Sequence, residues 1–76
     1  MKTGSGERYA RLSRLMTEAR KKSGLSQQEV ADRLGRPQTY VSRVERGTRQ
    51  MDLVEFLEIA EAIGFDPAEF VRQLKA

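Results

Sequence analysis

Leu25 to Gly47 reads LSQQEVADRLGRPQTYVSRVERG, and this stretch decides the fold. It divides into two short helices joined by a tight turn. Over Gln27–Leu34, Val30, Ala31 and Leu34 fall at i, i+1 and i+4, one face of an amphipathic helix. Gly35 ends that helix, because glycine accepts the left-handed backbone of a helix stop. The second helix is expected from about Pro37 to Arg46, with Val41 and Val44 facing inward and Gly47 as its stop. Its outward face carries Gln38, Thr39, Ser42 and Arg43. Such residues read base edges: Gln pairs with adenine, Arg with guanine, and the Thr methyl meets a thymine methyl. A helix–turn–helix with this outer face is most simply a reader of the DNA major groove.

Three blocks within this stretch, Ser26-Gln27-Gln28-Glu29-Val30-Ala31, Leu34-Gly35 and Val41-Ser42-Arg43-Val44-Glu45-Arg46-Gly47, carry a resemblance. They look like the helix–turn–helix domain of the phage repressor and Cro type, the XRE-like family. The resemblance extends over roughly Leu15 to Leu74. It implies an all-α fold, a compact five-helix repressor-like domain with a central helix–turn–helix. It also implies that Gln27 contacts the DNA backbone, and that Arg20 of the first helix pairs with Glu45 of the third. In one place the chain departs from the pattern. Arg36-Pro37 stands where the family usually has a small hydroxyl cap. Proline suits a first helical turn and disfavours an α conformation at the residue before it.

Seventy-six residues form one small domain with a marginal core. There is no cysteine to make a disulfide or a thiolate metal site, and no histidine to act as general base or metal ligand. Stability must then come from packing, capping and dimerisation. No apolar run approaches the roughly 18 residues of a membrane span. The polar N-terminus does not read as a signal peptide, so a cytoplasmic protein with no membrane partner is expected. The net charge of +3 hides an asymmetry. Residues 1–49 hold 12 Lys or Arg against 5 Asp or Glu, and residues 50–76 hold 2 against 6. A basic front and an acidic tail suit a domain with one face toward a polyanion.

Residues 1–6, MKTGSG, lack apolar periodicity and read as a flexible arm; 7–76 read as a single DNA-binding domain. The first helix is expected from near Glu7 to about Ser23, with Tyr9, Leu12, Leu15, Met16 and Ala19 as its apolar stripe. Three helix starts share one grammar, a capping box flanked by an apolar pair. They are Ser26 with Glu29, Asp52 with Glu55, and Asp66 with Glu69. Pro67 adds a favoured first-turn residue to the last of these. The fourth helix, Asp52–Ile63, is expected to bury Leu53, Phe56, Leu57, Ala60 and Ile63, with Glu55, Glu58 and Glu61 on a solvated face. The fifth, Pro67 to about Lys75, carries Phe70, Val71 and Leu74, which could complete the core or form a dimer face.

Phosphate contacts are expected from Gln27 at a helix N-terminus, and from Arg46, Thr48 and Arg49 beyond the other end of the recognition helix. Tyr40 has two readings, packing against the second helix or offering its hydroxyl to a phosphate. The function expected is a sequence-specific regulator that binds double-stranded DNA as a homodimer on a two-fold operator, since one monomer buries too little surface for high specificity. The alternative is an antitoxin-like or adaptor module whose main partner is a protein. Without His, Cys, a Gly-rich phosphate loop or a nucleophile constellation, the chain does not read as an enzyme. No cofactor, metal or small-molecule effector is expected.

Overall fold

The computed structural model describes residues 3–76, with side chains from Gly6 onward. Five α-helices follow one another: α1 (Thr3–Lys22), α2 (Gln27–Leu34), α3 (Gln38–Arg46), α4 (Leu53–Ile63) and α5 (Pro67–Lys75). There is no strand among the described residues. The all-α, five-helix architecture read from the sequence is the one observed.

Capping explains most of the boundaries. Ser26 accepts the Glu29 N–H at 3.0 Å, and Glu29 accepts the Ser26 N–H at 2.8 Å, which closes the capping box of α2. Asp52 and Glu55 form the same reciprocal pair at α4. At α5 the grammar differs. Asp66 accepts from the Ala68 N–H, while Glu69 turns away to pair with Arg72. Pro37 is the N-cap of α3 rather than its first helical residue; its extended backbone supplies no side-chain cap. Gly35 and Gly47 sit at φ of 68° and 78°, where a Cβ would be strained. α1 begins at Thr3, ahead of the start expected near Glu7. Of the expected arm, Met1 and Lys2 lie outside the described residues.

α2 and α3 pack on each other, α4 closes over α2, and α1 spans α3 and α5. The core gathers Met16, Val30, Ala31, Tyr40, Val41, Val44, Phe56, Ile59, Ile63 and Phe70. Each large member stabilises the fold by roughly 1.5–3 kcal/mol through apolar burial. Phe70 fills the centre of an aromatic cluster, 5.3 Å from Phe56 and 4.9 Å from Phe65 by ring centroids. Two arginines tie helix ends down. Arg33 donates to the Ala62 carbonyl in the last turn of α4, which has no basic residue of its own. Arg11 donates to the Leu74 carbonyl near the end of α5. Both place a cation at a negative helix end.

Three residues assigned to the core are at the surface. Tyr9 is half exposed, and Leu53 and Leu57 face solvent, while Ile59 takes the buried place on α4. The α4 stripe is therefore Phe56, Ile59, Ala60 and Ile63. The α5 stripe divides: Phe70 is in the core, Leu74 is half-buried and Val71 is exposed. Among the described residues, no helix is long and apolar enough to cross a membrane.

Candidate nucleic-acid interface

The outward arc of α3 carries Thr39, Arg43 and Arg46 exposed, with Gln38 and Ser42 half-buried beside them. Tyr40, Val41 and Val44 on the opposite face anchor the helix in the core. The arc is bordered by a polar assembly on each flank. Gln38 and Glu45, seven residues apart, lie on one side; Tyr40 and Arg43, three apart, lie on the other.

On the first flank, Arg20 of α1 meets Glu45 of α3 with two parallel hydrogen bonds, Nε to Oε2 at 2.6 Å and Nη2 to Oε1 at 3.1 Å. Its Nη1 donates to the Leu25 carbonyl at 2.9 Å, so one guanidinium joins α1, the α1–α2 turn and α3. The planar fork of arginine suits such a bidentate contact. Both side chains are removed from water, at 12% and 5% exposure. Burial pushes the Glu45 carboxyl up, but hydrogen bonds from Arg20 and Gln27 outweigh it and hold the group below the usual carboxylate range. The hydrogen bond to Glu45 raises the Arg20 pKa.

The network continues outward. Gln27 Nε2 donates to Glu45 Oε1 at 3.0 Å, and Gln27 Oε1 accepts from Gln38 Nε2 at 2.5 Å. The Gln27 side chain is thus engaged at both ends. It connects a buried ion pair to the first residue of α3. Such a chain cannot be read from local spacing, because its members come from three helices.

The second flank is built on Tyr40. Its ring lies in the core. Arg36 and Arg49 both lie over the ring, with guanidinium carbons 4.3 and 4.8 Å from its centroid. Burial raises the Tyr40 pKa. Arg49 is not a free cation: Nη1 and Nη2 donate to the two carboxylate oxygens of Glu55 at 3.2 and 3.0 Å. Arg36 Nη2 approaches the same Glu55 Oε2 at 3.4 Å. The sequence reading missed Arg36 and Glu55 as members of this cluster. Arg36 stood out only as the residue before Pro37, and Glu55 as a helix cap on a solvated face, whereas its side chain is drawn in by the two arginines. Thr48 donates its hydroxyl to the Arg43 carbonyl at 3.3 Å, which folds the chain back beyond α3. Arg46 is exposed.

The five-helix fold has known counterparts. A family model described as a helix-turn-helix domain matches residues 11–73. An uncharacterized HTH-type transcriptional regulator, y4dJ of Sinorhizobium fredii, is 38% identical over 66 residues, covering 87% of this chain and 77% of that protein. An XRE-family like protein from Pseudomonas syringae superposes with a TM-score of 0.92 at 42% identity, over 97% of this chain and 90% of that one. The restriction-modification controller protein C.AhdI from Aeromonas hydrophila superposes at 0.75 with 35% identity, over 82% and 90%. Motif, architecture and matched length agree, and this chain is a member of the XRE-like helix-turn-helix family of DNA-binding transcriptional regulators.

Proposed function

We propose that the protein is a sequence-specific regulator that binds duplex DNA as a homodimer, laying α3 of each subunit in the major groove of a two-fold operator. The observation that carries this reading is the outer arc of α3. Gln38, Thr39, Ser42 and Arg43 occupy it, and Gln38 is held in place by Gln27. Residues 7–76 act as the DNA-binding unit, in the cytoplasm and without a cofactor. Gln38 and Arg43 read base edges, with Thr39 and Ser42 supporting them. Gln27, at the positive end of α2, and Arg46 and Thr48 meet the sugar-phosphate backbone, which fixes register without carrying sequence information.

Support for the dimer comes from exposed apolar residues of α4 and α5. Leu53 and Val54 are 71% and 64% exposed, with Leu57 and Val71 also open to solvent. Large apolar residues gathered on one surface mark an association site. A two-fold pairing would cover them and double the DNA contact.

Selection of bound sequences from a random duplex pool tests the reading. An enriched, two-fold symmetric motif with half-sites about one helical turn apart is the expected outcome. A pool that returns no enriched motif would sink it and favour the antitoxin-like or adaptor role.

A further inference from the structure

The cluster on the second flank of α3 has a property the proposed function does not use. Two arginines from opposite ends of α3, Arg36 before it and Arg49 after it, converge on one aromatic ring and on one oxygen, Glu55 Oε2. Two guanidinium groups so close repel each other unless an anion lies between them. Glu55 is that anion, and its side chain is only 14% exposed. Both arginines remain over a third open to water, at 35% and 38%.

We propose that Arg36 and Arg49 are a two-arginine clamp for a DNA backbone phosphate, and that Glu55 is its internal stand-in, occupying the clamp in the free protein and yielding the guanidinium donors when DNA binds. This rests on the reading of α3 as the groove-facing helix.

Three features carry it. The first is position. A helix lying in the major groove has a sugar-phosphate backbone along each flank. Gln27 borders one flank, and the Tyr40 cluster borders the other. The second is geometry. Glu55 takes parallel N–H donors from Arg49 and a further contact from Arg36, a fork that also fits phosphate oxygens. Tyr40 holds the two planes at that separation by cation–π attraction. The third is what becomes of Glu55 on exchange. Its carboxylate also accepts the Asp52 N–H at 3.0 Å, as half of the α4 capping box. On losing the arginines it keeps that bond, so release does not strand an unpaired anion. Meanwhile the exposed arginines swing outward at little desolvation cost. The consequence is a built-in brake on backbone affinity, which limits sequence-independent binding.

The test measures affinity for a short duplex of arbitrary sequence as a function of salt, in wild type and six variants. Glu55→Gln keeps the side chain's size and removes its charge. It should bind about five- to tenfold tighter near 0.1 M salt, with a slope of log K against log salt close to that of wild type, because the arginines reach the same phosphate in both complexes. Arg36→Ala and Arg49→Ala, which leave the α4 cap intact, should each bind more weakly with a shallower slope. Glu58→Gln, an exposed carboxylate one turn along α4, reports the general effect of removing a negative charge and should change affinity far less. In an Arg36→Ala/Arg49→Ala background, Glu55→Gln should lose most of its effect. The proposal is overturned if Glu55→Gln tightens binding no more than Glu58→Gln, if its effect survives without the two arginines, or if Arg36→Ala binds like wild type. Wild-type protein that binds no duplex at all overturns instead the DNA-binding reading beneath it.

Discussion

Gln38 donates its side-chain N–H to the side-chain amide oxygen of Gln27, eleven residues earlier and on the other helix of the helix–turn–helix. The residue proposed to meet the DNA backbone and the residue proposed to read a base are therefore mechanically joined. Orienting a readout side chain before DNA arrives lowers the entropy lost on binding.

This coupling makes Gln27→Ala more than a phosphate mutation. Gln38→Ala should cost about 1–3 kcal/mol of discrimination at one base position per half-site. Gln27→Ala should weaken binding to all sequences and also relax preference at that same position, because Gln38 loses its support. A panel of single-base operator changes separates the two effects. Equal loss across the whole panel for Gln27→Ala would show that the amide bond has no share in readout.

Arg20 and Glu45 should behave as a unit. Removing one partner leaves the other buried and unpaired, at a cost of roughly 3–5 kcal/mol. Urea denaturation of Arg20→Ala, Glu45→Ala and the double variant measures this. The double variant should be less destabilised than the sum of the singles. Strict additivity would mean that the two side chains contribute independently despite their 2.6 Å contact.

The same pair sets an acid limit. Glu45 is held below its ordinary value in the folded protein, so its contribution is full above the unfolded pKa of about 4.3 and fades as pH falls through the lower folded value. Glu55 is shifted in the same direction by Arg49 and the Asp52 N–H. Stability should therefore be flat near neutrality and drop on acidification below about pH 4.5. Thermal melts of Glu45→Gln across this range should show a shallower acid limb than wild type. A parallel limb would remove Glu45 from the account.

The exposed apolar residues of α4 predict how assembly and folding separate. Leu53→Glu should leave the melting of the isolated subunit nearly unchanged, since surface substitutions usually act within about 0.5 kcal/mol. It should shift sedimentation toward the monomer and weaken operator binding. If wild-type protein sediments as a monomer at concentrations that saturate DNA, the proposed homodimer is wrong.

Short-range chemistry determined what could be read from the chain alone. Ser26 with Glu29, Asp52 with Glu55, Gly35 and Gly47 act over three or four residues, so they placed the ends of α2, α3 and α4 to within one residue. The start of α1 escaped because residues 1–6 carry no apolar periodicity to mark it, whereas α1 begins at Thr3. Side-chain periodicity located an apolar stripe on α4 but not its centre. Leu53, Leu57 and Ile59 fall on the two edges of that stripe, and only the packing of α4 against α2 decides that Ile59 goes in and the leucines stay out. Polar partnerships depended most on tertiary structure. Arg20 reaches Glu45 across 25 residues, and the family resemblance, not spacing, suggested that pair. Arg36 meets Glu55 because the turn before α3 and the first turn of α4 arrive at the same Tyr40 ring. No local pattern encodes that meeting; it follows from how the helices cross once their apolar faces are buried.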